Sequence, residues 1–173
     1  MKNLKYLFLV LLMSCSTSKV ITDYDDKADF SSFKTYAFYK DVGKGLNELD
    51  VRRVTSIMNT ELNKLGIQKS ENPDFFINII SNTTEATNNN TIGIGVGSGG
   101  RNGGFGISGG IPIGGKKLNE EFIVEFVAAT NNTLFWEAVL NSTINENRKP
   151  EEKEFHFQEI IKIILEKYPP KQK

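Results

Sequence analysis

The chain predicts an α+β fold: a mainly antiparallel sheet of about four to six strands, with two helices packed on one face. Two observations carry that expectation. Two segments, around residues 49–65 and 157–168, space their apolar residues at helical intervals. Between them lie runs of strand length, rich in aromatic and β-branched residues and linked by short turns. Hairpin linkage implies antiparallel pairing, and two amphipathic helices need a sheet face to cover.

In chain order, residues 15–28 read as a polar tether and 29–170 as a single domain. Thr35–Tyr39 suits a strand, because aromatic and β-branched side chains favour a pleated surface. The first helix has Asn47 as N-cap, with Glu48 and Asp50 in its first turn, where negative charge suits the helix dipole. Leu49, Val54, Ile57, Met58, Leu62 and Leu65 form its apolar stripe, and Gly66 supplies the stop. After Asn72-Pro73-Asp74, the run Phe75–Ile80 is a nearly all-apolar strand, and Ser81–Asn90 reads as a loop.

Residues 91–115 form a glycine-rich insert. Thr91 to Gly97 alternates β-branched residues with glycine, Phe105–Ser108 resumes the alternation, and Asn102-Gly103 between them is a hairpin-turn dipeptide. The segment reads either as a flexible insert or as a hairpin whose Ile92, Ile94, Val96, Phe105 and Ile107 contact a partner. Gly95-x-Gly97-x-x-Gly100 has dinucleotide-binding spacing, but no helix starts there to hold a pyrophosphate. Glu120–Thr130 and Thr133–Ser142 are the next strands, turned at Asn131-Asn132. In the second, Leu134, Trp136, Ala138 and Leu140 point one way, while Phe135, Glu137, Val139 and Asn141 point the other, with Trp136 as a core anchor. The closing helix runs from about Glu151 to Lys167, with Phe157, Ile160, Ile161, Ile164 and Tyr168 as its stripe and Pro169-Pro170 as its end.

The first residues carry an address. A basic start, Met1-Lys2-Asn3-Leu4-Lys5, precedes an apolar run from Tyr6 to Met13. That order is a secretory signal, and the run is about half the ~20 residues a membrane-spanning helix needs. Leu12-Met13-Ser14-Cys15 resembles the lipobox of bacterial lipoproteins, in which the cysteine is acylated and becomes the new N-terminus. Residues 1–14 are then a lipoprotein signal peptide and Cys15 the lipid-attachment site. Each buried methylene contributes about 0.8 kcal/mol, so two or three acyl chains hold a protein on a bilayer without spanning it. Ser16, rather than an aspartate, points by the same resemblance to the outer membrane, facing the periplasm, with the cell surface as the alternative.

The rest of the composition excludes more than it assigns. Removing residues 1–14 from 173 leaves 159, and losing Lys2 and Lys5 leaves 19 Lys+Arg against 21 Asp+Glu. A net charge near −2 with no polybasic patch gives no reason to expect a nucleic-acid partner. The one histidine, His156, reads as a helix-surface residue. With a single cysteine reserved for lipid, a metal site would need carboxylates alone. Asp23, Asp25 and Asp26 lack calcium-loop spacing. No serine has a motif-defined histidine, so no catalytic residue, metal or cofactor is expected, and the protein is not read as an enzyme.

Asp23-Tyr24-Asp25, Asp29-Phe30-Ser31-Ser32-Phe33-Lys34-Thr35-Tyr36, Leu134-Phe135-Trp136-Glu137 and the closing Tyr168-Pro169-Pro170 resemble the DUF4136 family of bacterial envelope lipoproteins. The resemblance implies no activity and transfers no functional residue. The expected function is an accessory or scaffold lipoprotein that binds another envelope protein. The alternative is a periplasmic carrier of a lipid or small amphiphile. Oligomeric state is left open.

Overall fold

The computed structural model describes residues 19–86, 91–92, 111–112 and 116–171. Its strands are β1 (Lys19–Tyr24), β2 (Thr35–Phe38), β3 (Gln68–Lys69), β4 (Phe75–Glu85), β5 (Thr91–Ile92), β6 (Ile111–Pro112), β7 (Lys117–Ala128) and β8 (Leu134–Asn145). The helices are α1 (Glu48–Lys64) and α2 (Pro150–Leu165). Six strands form one sheet in the order β1-β8-β7-β4-β2-β3, and β5 pairs with β6 separately. Pairing is antiparallel from β1 to β4 and parallel from β4 through β2 to β3. The parallel step follows from connectivity: α1 carries the chain from β2 back to the start of β3 and β4, which a tight hairpin could not do.

Local chemistry explains each boundary. The Asn47 side chain accepts from the amides of Leu49 and Asp50, both at 3.0 Å, and caps α1. Gly66, at φ +79°, ends it. Asn132 takes φ 54° in the turn between β7 and β8. Pro150 begins α2, where a missing amide costs nothing, and the Lys149 amide donates to Glu152 Oε2 at 2.7 Å.

Both helices pack on the same side. Val54, Ile57, Met58 and Leu62 of α1 join Phe157, Ile160, Ile161 and Ile164 of α2 in one core with inward Phe75, Ile77, Ile79, Phe122, Val124, Phe126, Ala138 and Leu140 of the sheet. Trp136 is fully buried, against Phe126 at 4.7 Å and Tyr168 at 5.3 Å between ring centres. Phe33 stacks on Phe135 at 3.9 Å, closing that end of the core.

Several expectations need correction. Part of the 15–28 segment read as tether is the edge strand β1, paired with β8 from Lys19↔Asn141 to Tyr24↔Trp136. Its outward Lys19, Ile21 and Asp23 hide the alternation of Val20, Thr22 and Tyr24, which lean inward. Ser81–Glu85, read as loop, continues β4, because β7 supplies a partner as far as Leu118. β3 is too short to leave a pattern. A register shift between Phe126 and Val127 turns Phe135 inward and leaves Leu134 exposed, reversing both. Leu49 and Leu65, at the ends of the α1 stripe, are exposed.

Candidate functional site

The helices leave the other side of the sheet uncovered by any described helix. Side chains alternate across a strand, so the registers define which outward residues lie side by side. One row is apolar: Ile21 of β1, Val139 of β8, Ile123 of β7 and Ile80 of β4. The next row is Asp23, Glu137, Glu125 and Asn78 on the same four strands. On the other flank lie Lys19, Asn141, Glu121 and Asn82. Beyond the acidic row, Val127 pairs with Phe76, whose ring meets Tyr39 at 5.2 Å. Ile21 is 54% exposed, whereas Val139, Ile123 and Ile80 are half-buried. The face is therefore an apolar row between two polar rows that hold four carboxylates.

Those carboxylates lack cations. Among the described residues, none of Asp23, Glu121, Glu125 and Glu137 makes a salt bridge. Glu125 accepts from Asn78 Nδ2 at 2.8 Å and Glu121 from Asn82 Nδ2 at 3.1 Å. Glu137 sits directly between Asp23 and Glu125. Partial burial raises its pKa above the ordinary glutamate value, and the charges of Glu125, Asp23 and Glu121 raise it further. Like charges directly opposite on neighbouring strands are destabilising.

The inward face treats charge differently. Glu120 is 2% exposed and accepts from Ser81 Oγ at 3.1 Å and Ser142 Oγ at 3.3 Å. His156 Nε2 lies 2.5 Å from Oε2, the oxygen that Ser142 also meets, while Ser81 meets Oε1. Burial alone would raise the Glu120 pKa, but the hydrogen bond and charge of His156, the nearby Arg148 and the Ser81 hydroxyl outweigh it and hold the carboxyl low. His156 is thus no surface residue: it half-buries itself to pin α2 to β7. Asp50 forms a companion tie, meeting Arg53 at 2.6 Å and Lys153 at 2.7 Å, which joins α1 to α2. These groups have their partners within the fold and read as structural.

Of the residues singled out from sequence, Cys15, Ile94, Val96, Phe105 and Ile107 lie outside the described residues. Ile92 is in β5, paired antiparallel with Ile111 of β6. Among the described residues no group of acidic, histidine or cysteine side chains has metal-binding geometry, and no helix is long and apolar enough to cross a membrane. A groove of about 630 Å³ lies by the end of α1, lined by Phe30, Phe33, Leu65, Ile67, Tyr168 and Pro169. The Tyr168 hydroxyl is buried without a hydrogen-bond partner among the described residues, and burial pushes its pKa up. Sequence reasoning placed Glu137, Val139 and Asn141 on one face of β8. It missed that Asp23, Glu125, Glu121 and Ile123 complete a surface with them, because only the registers join four strands separated in sequence.

The fold and this face define a class: an α+β module whose six-stranded sheet carries both helices on one side and, among the described residues, no helix on its striped other side. The chain belongs to the DUF4136 family, a domain of unknown function whose model matches residues 20–170. No curated protein matches the sequence. Among solved structures, a PDZ domain protein from Parabacteroides distasonis ATCC 8503 superposes at a TM-score of 0.58 and 17% identity, over 90% of this chain and 36% of that one. This chain therefore spans about a third of that protein. The PelC dodecamer from Paraburkholderia phytofirmans superposes at a TM-score of 0.51 and 11% identity, over 86% of this chain and 95% of that one. At these identities the likeness is one of fold.

Proposed function

We propose that the chain is a docking module rather than an enzyme, held on the outer membrane by acylation of Cys15, facing the periplasm, and binding another envelope protein through its open sheet face. The observation that supports this reading is the apolar row Ile21–Val139–Ile123–Ile80, set on a face that no described helix covers. A sheet face that no described helix covers is where a partner gains most by burying apolar area. The likeness to PelC, a dodecamer, is consistent with a fold used for assembly. The test is crosslinking in living cells with a C-terminal tag, comparing the wild type with Cys15→Ala and with Ile123→Ser. One envelope protein captured by the wild type and lost from both variants is the expected result. Capture unchanged in Ile123→Ser would overturn the docking face.

The groove beside Tyr168 favours a second reading, a carrier of a small amphiphile. Its walls set Phe30, Phe33, Leu65 and Ile67 beside Asp29 and Lys34, a lining that suits a ligand with an apolar body and a polar end. Extraction of purified protein followed by mass spectrometry checks it: co-purifying lipid that is lost in Leu65→Asp supports the carrier, and its absence removes it.

A further inference from the structure

We infer that the occupant of the open sheet face is an amphipathic helix of another protein, apolar along one stripe and flanked by lysine or arginine. The inference rests on the docking reading above and adds the chemistry of the partner.

Geometry sets the shape. Strands lie about 4.8 Å apart, so the apolar row across four strands is ~14 Å long. At a rise of 1.5 Å per residue, that length takes about ten residues of helix, or three apolar positions on one stripe. Flanking rows lie two residues along each strand, about 7 Å to either side. That is the offset at which the flanks of a helix present long side chains. A helix lying along the row would seat its apolar stripe on Val139 and Ile123. On one side its cations would meet Asp23, Glu137 and Glu125; the other flank offers Glu121, with Lys19 two strands away at the β1 end, so the acidic row dominates.

Charge sets the sign. Four carboxylates carry no cation among the described residues, and Glu137 bears a like charge on each neighbouring strand. A cationic partner relieves that repulsion; an anionic bilayer or a nucleic acid aggravates it. Nor does the chain's own α2 fit as a second copy's contribution, since its exposed positions mix Glu151, Glu159 and Lys162.

The test uses the chain from Ser16 to Lys173, which lacks both the apolar signal and the acylated cysteine, and labelled helical peptides of about 18 residues with one leucine stripe. One peptide flanks the stripe with lysine, a second with glutamate. The lysine peptide is expected to bind, to weaken as salt is raised, and to weaken about tenfold against the double variant Glu125→Gln, Glu137→Gln. That variant removes repulsion and so keeps its fold, which a thermal melt confirms. Equal binding of the two peptides would overturn the charge assignment and leave the docking face standing. Binding of neither peptide, with cellular capture still lost in Ile123→Ser, would overturn the helical cationic partner alone. Binding of neither, with capture unaffected, would remove the docking reading as well. Self-association of the chain that blocks the lysine peptide would replace the partner with a second copy.

Discussion

Glu120 and Glu121 are neighbours in the chain and lie on opposite faces of β7. Glu120 points inward, is 2% exposed, and meets His156, Ser81 and Ser142. Glu121 points outward beside the apolar row and, among the described residues, has only Asn82 as a side-chain partner. The inward face admits one carboxylate and surrounds it with donors. The outward face gathers four and gives them two asparagines. A buried charge that fails to find a partner costs several kcal/mol, so the fold resolves it internally. A half-exposed charge costs far less, so the fold can leave it for something outside. Partnered polar groups thus mark what holds this protein together, and crowded, unpartnered ones mark what it offers.

The contrast can be broken first on the inward side. Trp136→Ala removes a fully buried side chain packed on Phe126 and Tyr168, and is expected to destabilise by about 3–5 kcal/mol in urea unfolding. His156→Ala strands the Glu120 carboxylate with two hydroxyls, at a cost of about 3 kcal/mol. That variant also changes the acid response. The folded Glu120 pKa lies below its ordinary 4.5, so its stabilising contribution is full above that value and is lost as pH falls through the lower, folded pKa. Urea midpoints between neutral and acid pH should therefore fall less steeply in His156→Ala than in the wild type.

On the outward side the expected stability effects are smaller and the binding effects larger. Ile123→Ser should cost about 1 kcal/mol or less while removing partner capture, a separation no core substitution can give. Glu137→Gln should stabilise, by about 0.2–1 kcal/mol, since it removes a charge set between Asp23 and Glu125. The folded Glu137 pKa is raised, so the charged form is the costly one. The gain should be full above that raised pKa and vanish as pH falls past the ordinary value. Thermal melts across that range check both sign and window. No gain at neutral pH would mean the repulsion is already screened.

Much of the scaffold was legible residue by residue. Asn47, Gly66 and Asn132 mark boundaries through local backbone chemistry, which a sequence carries without its fold. The inward stripe of β7 and β8 follows from period-two alternation. What was hidden depends on pairing. β1 shows no apolar alternation because its outward side, Lys19, Ile21 and Asp23, is one edge of the striped face. The tail of β4 has no apolar pattern at all and is a strand only because β7 runs beside it. His156 and Glu120 lie 36 residues apart, and nothing in either local sequence announces the other. The striped face was the least visible, since each strand contributes only one residue to each row.

The edge strand β1 begins at Lys19, and the anchor proposed at Cys15 lies only four residues before it. Four residues of chain reach at most ~14 Å, even when fully extended. A sheet on so short a leash cannot roam the surrounding compartment. Under the proposed anchoring its striped face would stay within a thin layer above the lipid, and the encounter with a partner in the same membrane would become a search over a surface rather than through a volume. A modest affinity, raised by the high local concentration of that layer, is then sufficient.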